Sequence, residues 1–125
     1  MEITLSPAGP VIMTDKKSVI FGDQLNIDGL VIEMAGEYEK SGVLLQTRLI
    51  DGVLVHELQV ERKIVGYVPA SITEVSEALI EFFDDLDVLF IAGSKEAVKL
   101  YESLEARVVV PYGEGRDSFL MAVGQ

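Results

Sequence analysis

The sequence predicts an α/β (mixed α+β) fold: an antiparallel β-meander followed by a βαβ unit in one mixed sheet. Three observations carry this. Residues 43–60 alternate apolar and polar with period two around Asp51-Gly52, the signature of a hairpin. Val88–Ala92 and Val108–Val110 are short unbroken apolar runs, as expected of strands buried on both faces. Between and before those runs the apolar residues recur at helical spacing instead.

Taken in chain order, residues 1–27 hold short apolar runs (Ile3–Leu5, Val11–Met13, Val19–Phe21) separated by turn-forming segments, which predicts short strands. Leu30–Met34 is expected to be the first core strand, and residues 36–42 a charged turn. Asp-Gly between alternating runs favours a two-residue type I′ turn, and that loop length fixes the register. Ile50 then pairs with Val53, Leu49 with Leu54, Arg48 with Val55, Thr47 with His56, and Leu45 with Leu58. The face carrying Leu45, Thr47, His56 and Leu58 is expected inward. The opposite face, with Leu44, Arg48, Ile50, Val53 and Val55, is half apolar, so the N-terminal strands or a second copy should cover it.

Ser71-Ile-Thr-Glu74 has the form of a capping box opening a helix through Val75, Leu79, Phe82, Phe83 and Leu86. Strand 88–92, helix 95–104 and strand 107–111 make the βαβ unit, whose strands should be parallel neighbours. Asp117 is expected to cap a last helix over Phe119, Leu120 and Val123. The whole reads as one domain, 1–125, with N-terminal strands (1–27), the meander (28–60) and an α/β half (71–125). Three antiparallel strands followed by αβαβα is also the ribonuclease H-like element order.

Composition excludes several classes. Of the 125 residues 21 are acidic and 10 basic, and none is cysteine. Without cysteine there are no disulfides, thiolate ligands or cysteine nucleophiles. The scattered Lys and Arg cannot form the cluster that polyphosphate binding needs, so nucleic acid is not an expected partner. The acidity reads as a solubility device. No apolar run is long enough for a membrane-spanning helix, and no secretion leader is legible, so a cytoplasmic location and no membrane partner are expected.

Open α/β sheets bind ligands beyond the carboxyl ends of their parallel strands. Two loops should leave that end: Gly93-Ser94-Lys95, and a second carrying Gly113, Gly115, Arg116, Asp117 and Ser118. Each offers glycine, a helix N-terminus and one cation, a set suited to a small anionic ligand such as a carboxylate or a single phosphate. Neither is a Walker A or dinucleotide fingerprint, and no cofactor is named by the sequence. The bland alternative is a pair of ordinary strand-to-helix turns. His56, the one histidine, is a base, a metal ligand or a hydrogen-bonded core residue; no second His or Cys completes a zinc site. A two-metal nuclease fails because the strand ending Ile91-Ala92-Gly93 supplies no carboxylate. The Asp84-Asp85-Asp87 cluster reads as a solvated helix end.

Asp87–Val110 (DVLFIAGSKEAVKLYESLEARVVV) resembles the strand-Gly-helix-strand segment of the dinitrogenase iron–molybdenum cofactor-biosynthesis accessory proteins. That resemblance implies a ribonuclease H-like fold and a carrier of a metal cluster or cofactor. The function expected from all this is a non-catalytic small-ligand-binding or assembly module that associates with itself. The second expectation is a small enzyme or cofactor carrier holding an anion at the strand carboxyl ends.

Overall fold

A computed structural model describes residues 1–14 and 17–124. The first five strands, β1 (Glu2–Ser6), β2 (Gly9–Met13), β3 (Ser18–Phe21), β4 (Leu25–Ile27) and β5 (Leu30–Ile32), form an antiparallel sheet in sequential order. The next four, β6 (Gly36–Lys40), β7 (Val43–Ile50), β8 (Val53–Val60) and β9 (Lys63–Val68), are an antiparallel meander. Helix α1 (Glu77–Phe82), β10 (Val88–Ala92), α2 (Ala97–Leu104), β11 (Val108–Tyr112) and α3 (Arg116–Ala122) follow. The second sheet runs β11-β10-β9-β8-β7-β6, with β9, β10 and β11 parallel. Meander and βαβ unit therefore share one mixed sheet, but four antiparallel strands, β6–β9, precede the αβαβα run instead of the expected three.

Two apolar layers hold the elements together. Ile12, Phe21, Ile27, Leu45, Leu58 and Phe90 fill the space between the sheets. Ile50, Val55, Leu79, Phe82, Leu89, Leu100 and Phe119 fill the space between the second sheet and the helices. Strands β9 and β10 are thus covered on both faces, which is why Val88–Ile91 is an unbroken apolar run. Removing a side chain such as Phe90, fully buried, would cost about 3–5 kcal/mol.

The hairpin register follows its turn. All five expected pairs of β7 and β8 occur, and Asp51 (φ 52°) and Gly52 (φ 79°) both have positive φ, as a type I′ turn requires.

Other expectations need correction. Leu30–Ile32 is not the first strand of the core meander: it closes the N-terminal sheet against β4. The outer hairpin face is covered at Ile50 and Val55 by the helices, while the N-terminal sheet lies on the opposite, His56 face. Ser71 and Glu74 do not form a capping box. Helix α1 begins later, where Ser76 Oγ accepts the Leu79 N–H at 3.2 Å. The β-branched Ile72, Thr73 and Val75 favour extended backbone, and Ile72 is buried as an anchor before the helix starts. Asp117 lies in the first turn of α3 and does not cap it; Gly115 occupies the N-cap position. Val108 is 54% exposed because β11 is an edge strand.

Candidate functional site

The pairings place one residue from each strand of the second sheet in a single row: Gly36, Thr47, His56, Tyr67, Phe90 and Val110. Side chains of such a row share a face, here the one turned toward the N-terminal sheet. Phe21 of β3 stacks on Tyr67 at 4.7 Å, and Tyr112 stacks on it at 5.4 Å. The Tyr112 hydroxyl donates to the Val68 carbonyl at 2.8 Å, tying β11 to the end of β9.

A cavity of about 350 Å³ opens beside this row. Its walls are the β3–β4 turn (Gly22, Asp23, Gln24), the start of β8 (Val53, Leu54, His56) and the exit of β9 (Pro69, Ser71). Phe21, Leu25, Ile32 and Tyr67 give it an apolar floor. Because β8 runs antiparallel to β9, its start lies at the carboxyl end of β9, β10 and β11, the end where α/β sheets bind ligands.

His56 is 5% exposed, and its Nδ1 sits 2.9 Å from Thr47 Oγ1. That contact leaves Nε2 as the ring nitrogen available to the cavity. Desolvation lowers the imidazole pKa from 6.5 to about 4, so the ring is neutral at pH 7. Burial pushes the Tyr67 hydroxyl up, and the charge of Asp23 adds to the rise. Burial likewise pushes the Tyr112 hydroxyl up. Both phenols stay protonated at neutral pH.

The loops singled out in the sequence lie side by side, since β10 and β11 are parallel neighbours in register from Val88↔Val108 to Ala92↔Tyr112. Gly93 and Gly115 are where their backbones touch. A Cβ on Gly93 would lie 2.6 Å from Arg116 Cα, and one on Gly115 would lie 1.9 Å from the Gly93 carbonyl oxygen. The glycines therefore serve loop-to-loop contact, and the Gly93 N–H donates to the Tyr112 carbonyl at 2.8 Å. Ser94 Oγ accepts the Ala97 N–H at 3.1 Å. Lys95, Arg116, Asp117 and Ser118 are exposed, while Gly113 and Arg116 border a cleft against the β1–β2 hairpin. The sequence places His56 beside Thr47 but gives no sign that Asp23, Gln24 and Ser71 line the same cavity. Those belong to turns whose approach to β8 depends on how the two sheets pack, and no local pattern encodes that.

No family model matches the sequence, and no curated protein matches it. Among solved structures the chain is similar to a Thermotoga maritima protein described as a "putative zn-dependent hydrolase of the metallo-beta-lactamase superfamily". The match has a TM-score of 0.52 and 24% identity, over 65% of this chain and 47% of that one. This chain thus spans about half the length of that structure, and the likeness is one of fold. It corrects the expected non-catalytic binding or assembly module: the solved structure whose fold this chain resembles is described as a hydrolase.

The donor set does not fit a zinc ion. Among the described residues no group of three or more His, Cys, Asp or Glu side chains converges. The one histidine already spends Nδ1 on Thr47, whereas a catalytic zinc takes three protein ligands.

Proposed function

We propose that this chain is a small hydrolase-type enzyme whose reactive centre is the His56 cavity. One observation carries the reading: a lone, buried, neutral histidine, oriented by Thr47, borders a cavity at the carboxyl ends of the parallel strands. The fold likeness supports it as an architecture that elsewhere is described as hydrolytic. In this reading the Nδ1–H donates to Thr47 Oγ1 and the Nε2 lone pair faces the substrate. A water attacking an ester carbonyl forms the new C–O bond while Nε2 takes its proton. The C–O bond to the leaving alkoxide then breaks, and the same proton passes to that oxygen. A base this weak contributes less than one poised near neutrality, so modest rates are expected. A cytoplasmic location fits a chain without cysteine.

The test is a panel of small esters and amides assayed with the native chain and with His56→Asn and Thr47→Val. Turnover of at least one neutral ester, lost on His56→Asn and reduced on Thr47→Val, is the expected result. No turnover, or turnover that His56→Asn leaves unchanged, refutes the reading.

A further inference from the structure

We propose that the His56 cavity takes small substrates that are uncharged or carry an amine, and turns away carboxylates and phosphates. This rests on the reading of that cavity as the reactive site. The argument is one of charge inventory. An anion needs a cation or an array of N–H groups to replace its hydration. Among the described residues none of the side chains lining the cavity is Lys or Arg, and the one charged group among them is Asp23. Its field reaches the cavity floor, because it pushes the Tyr67 hydroxyl up alongside burial, against the contact with Tyr112 that lowers it. His56 cannot compensate by carrying a proton, since it stays neutral down to about pH 4.

The remaining walls favour an apolar body. Phe21, Leu25, Ile32 and Leu54 line the space, and about 350 Å³ accommodates a single substituted ring. A ligand with a ring toward these residues and a hydroxyl or ammonium toward His56 or Asp23 matches the shape and the charge together. The net charge of −11 works in the same direction, slowing the approach of anions and speeding that of cations. This selectivity is opposite to the one the two glycine loops suggest in the sequence.

The experiment compares three probes of one shape: benzylamine, benzyl alcohol and benzoate, titrated at pH 7 into the native protein and followed by amide NMR shifts. Benzylamine and benzyl alcohol should both move the Asp23, Leu54 and His56 amides, with the amine binding about fivefold more tightly. Benzoate should move none of them. In Asp23→Asn the amine should fall to the affinity of the alcohol. Benzoate binding at these residues as tightly as benzyl alcohol overturns the proposal, as does an amine preference that survives Asp23→Asn, or no binding by any probe. Ester turnover with charge-blind binding would sink this inference and leave the hydrolase reading standing. Charge-selective binding without turnover would do the reverse.

Discussion

Acidification should destabilise this protein through its one histidine. In the unfolded chain His56 takes up a proton near pH 6.5, whereas in the fold it does so only at about pH 4. The unfolded state therefore binds more protons between those values, and stability falls as pH drops across that window. It is fully present above pH 6.5 and levels off below about pH 4. The gap corresponds to about 3 kcal/mol, a large share of the 5–15 kcal/mol typical of a domain. His56 is buried, so solvent screening takes little from the figure. The assay is urea unfolding of the native chain and of His56→Asn at steps from pH 7.5 to 4. Carboxylate titration is common to both proteins, so their difference in unfolding free energy isolates the imidazole. That difference should shrink steadily below pH 6.5. A difference independent of pH would refute the assignment of a desolvated neutral ring.

Other outcomes follow from the packing. Gly115→Ala should cost more than about 3 kcal/mol, because its Cβ meets backbone of the neighbouring loop and neither strand end can retreat; chemical denaturation measures it. Gly113→Ala, with open space around it and φ 84°, should cost only about 1 kcal/mol in the same experiment. Glu57→Gln should raise the melting temperature at pH 7. Burial lifts the Glu57 pKa, so its charged form opposes folding, and the gain should fade as the pH falls through the Glu57 titration. Asp87→Ala should cost about 1–3 kcal/mol by equilibrium unfolding. Its carboxylate accepts the part-buried Ile64 N–H at 2.9 Å, so removal leaves that donor unmet, while the exposed Arg107 keeps Asp85 as a partner.

What was legible in the sequence was local. The Asp51-Gly52 turn dictates its own geometry, and the register follows from a side-chain period of two. The run Val88–Ala92 announces a strand covered on both faces. The start of α1 is ambiguous in the sequence, because Ser71-Ile-Thr-Glu74 satisfies the capping pattern as well as Ser76 does. Burial of Ile72 in the layer under the helices decides between them, and that is a tertiary fact. The glycines at 93 and 115, read from the sequence as part of an anion site, lie where the two loops touch each other. Leu30–Ile32 shows the same limit: its apolar run fits either sheet, and only its pairing with Leu25–Ile27 assigns it. The cavity depends on the end of β3 and its turn (Phe21, Asp23), the β9 exit (Ser71) and His56 coming together from three segments of the chain, which only the packing of the sheets brings about.

The hydrolytic rate on a neutral ester, measured against pH, bears most directly on the central claim that an oriented neutral imidazole does the chemistry. A rate level from pH 8 to 5 that falls away with a midpoint near 4, and vanishes in His56→Asn, is the predicted result. A midpoint near 6.5, or a profile indifferent to that substitution, would contradict it.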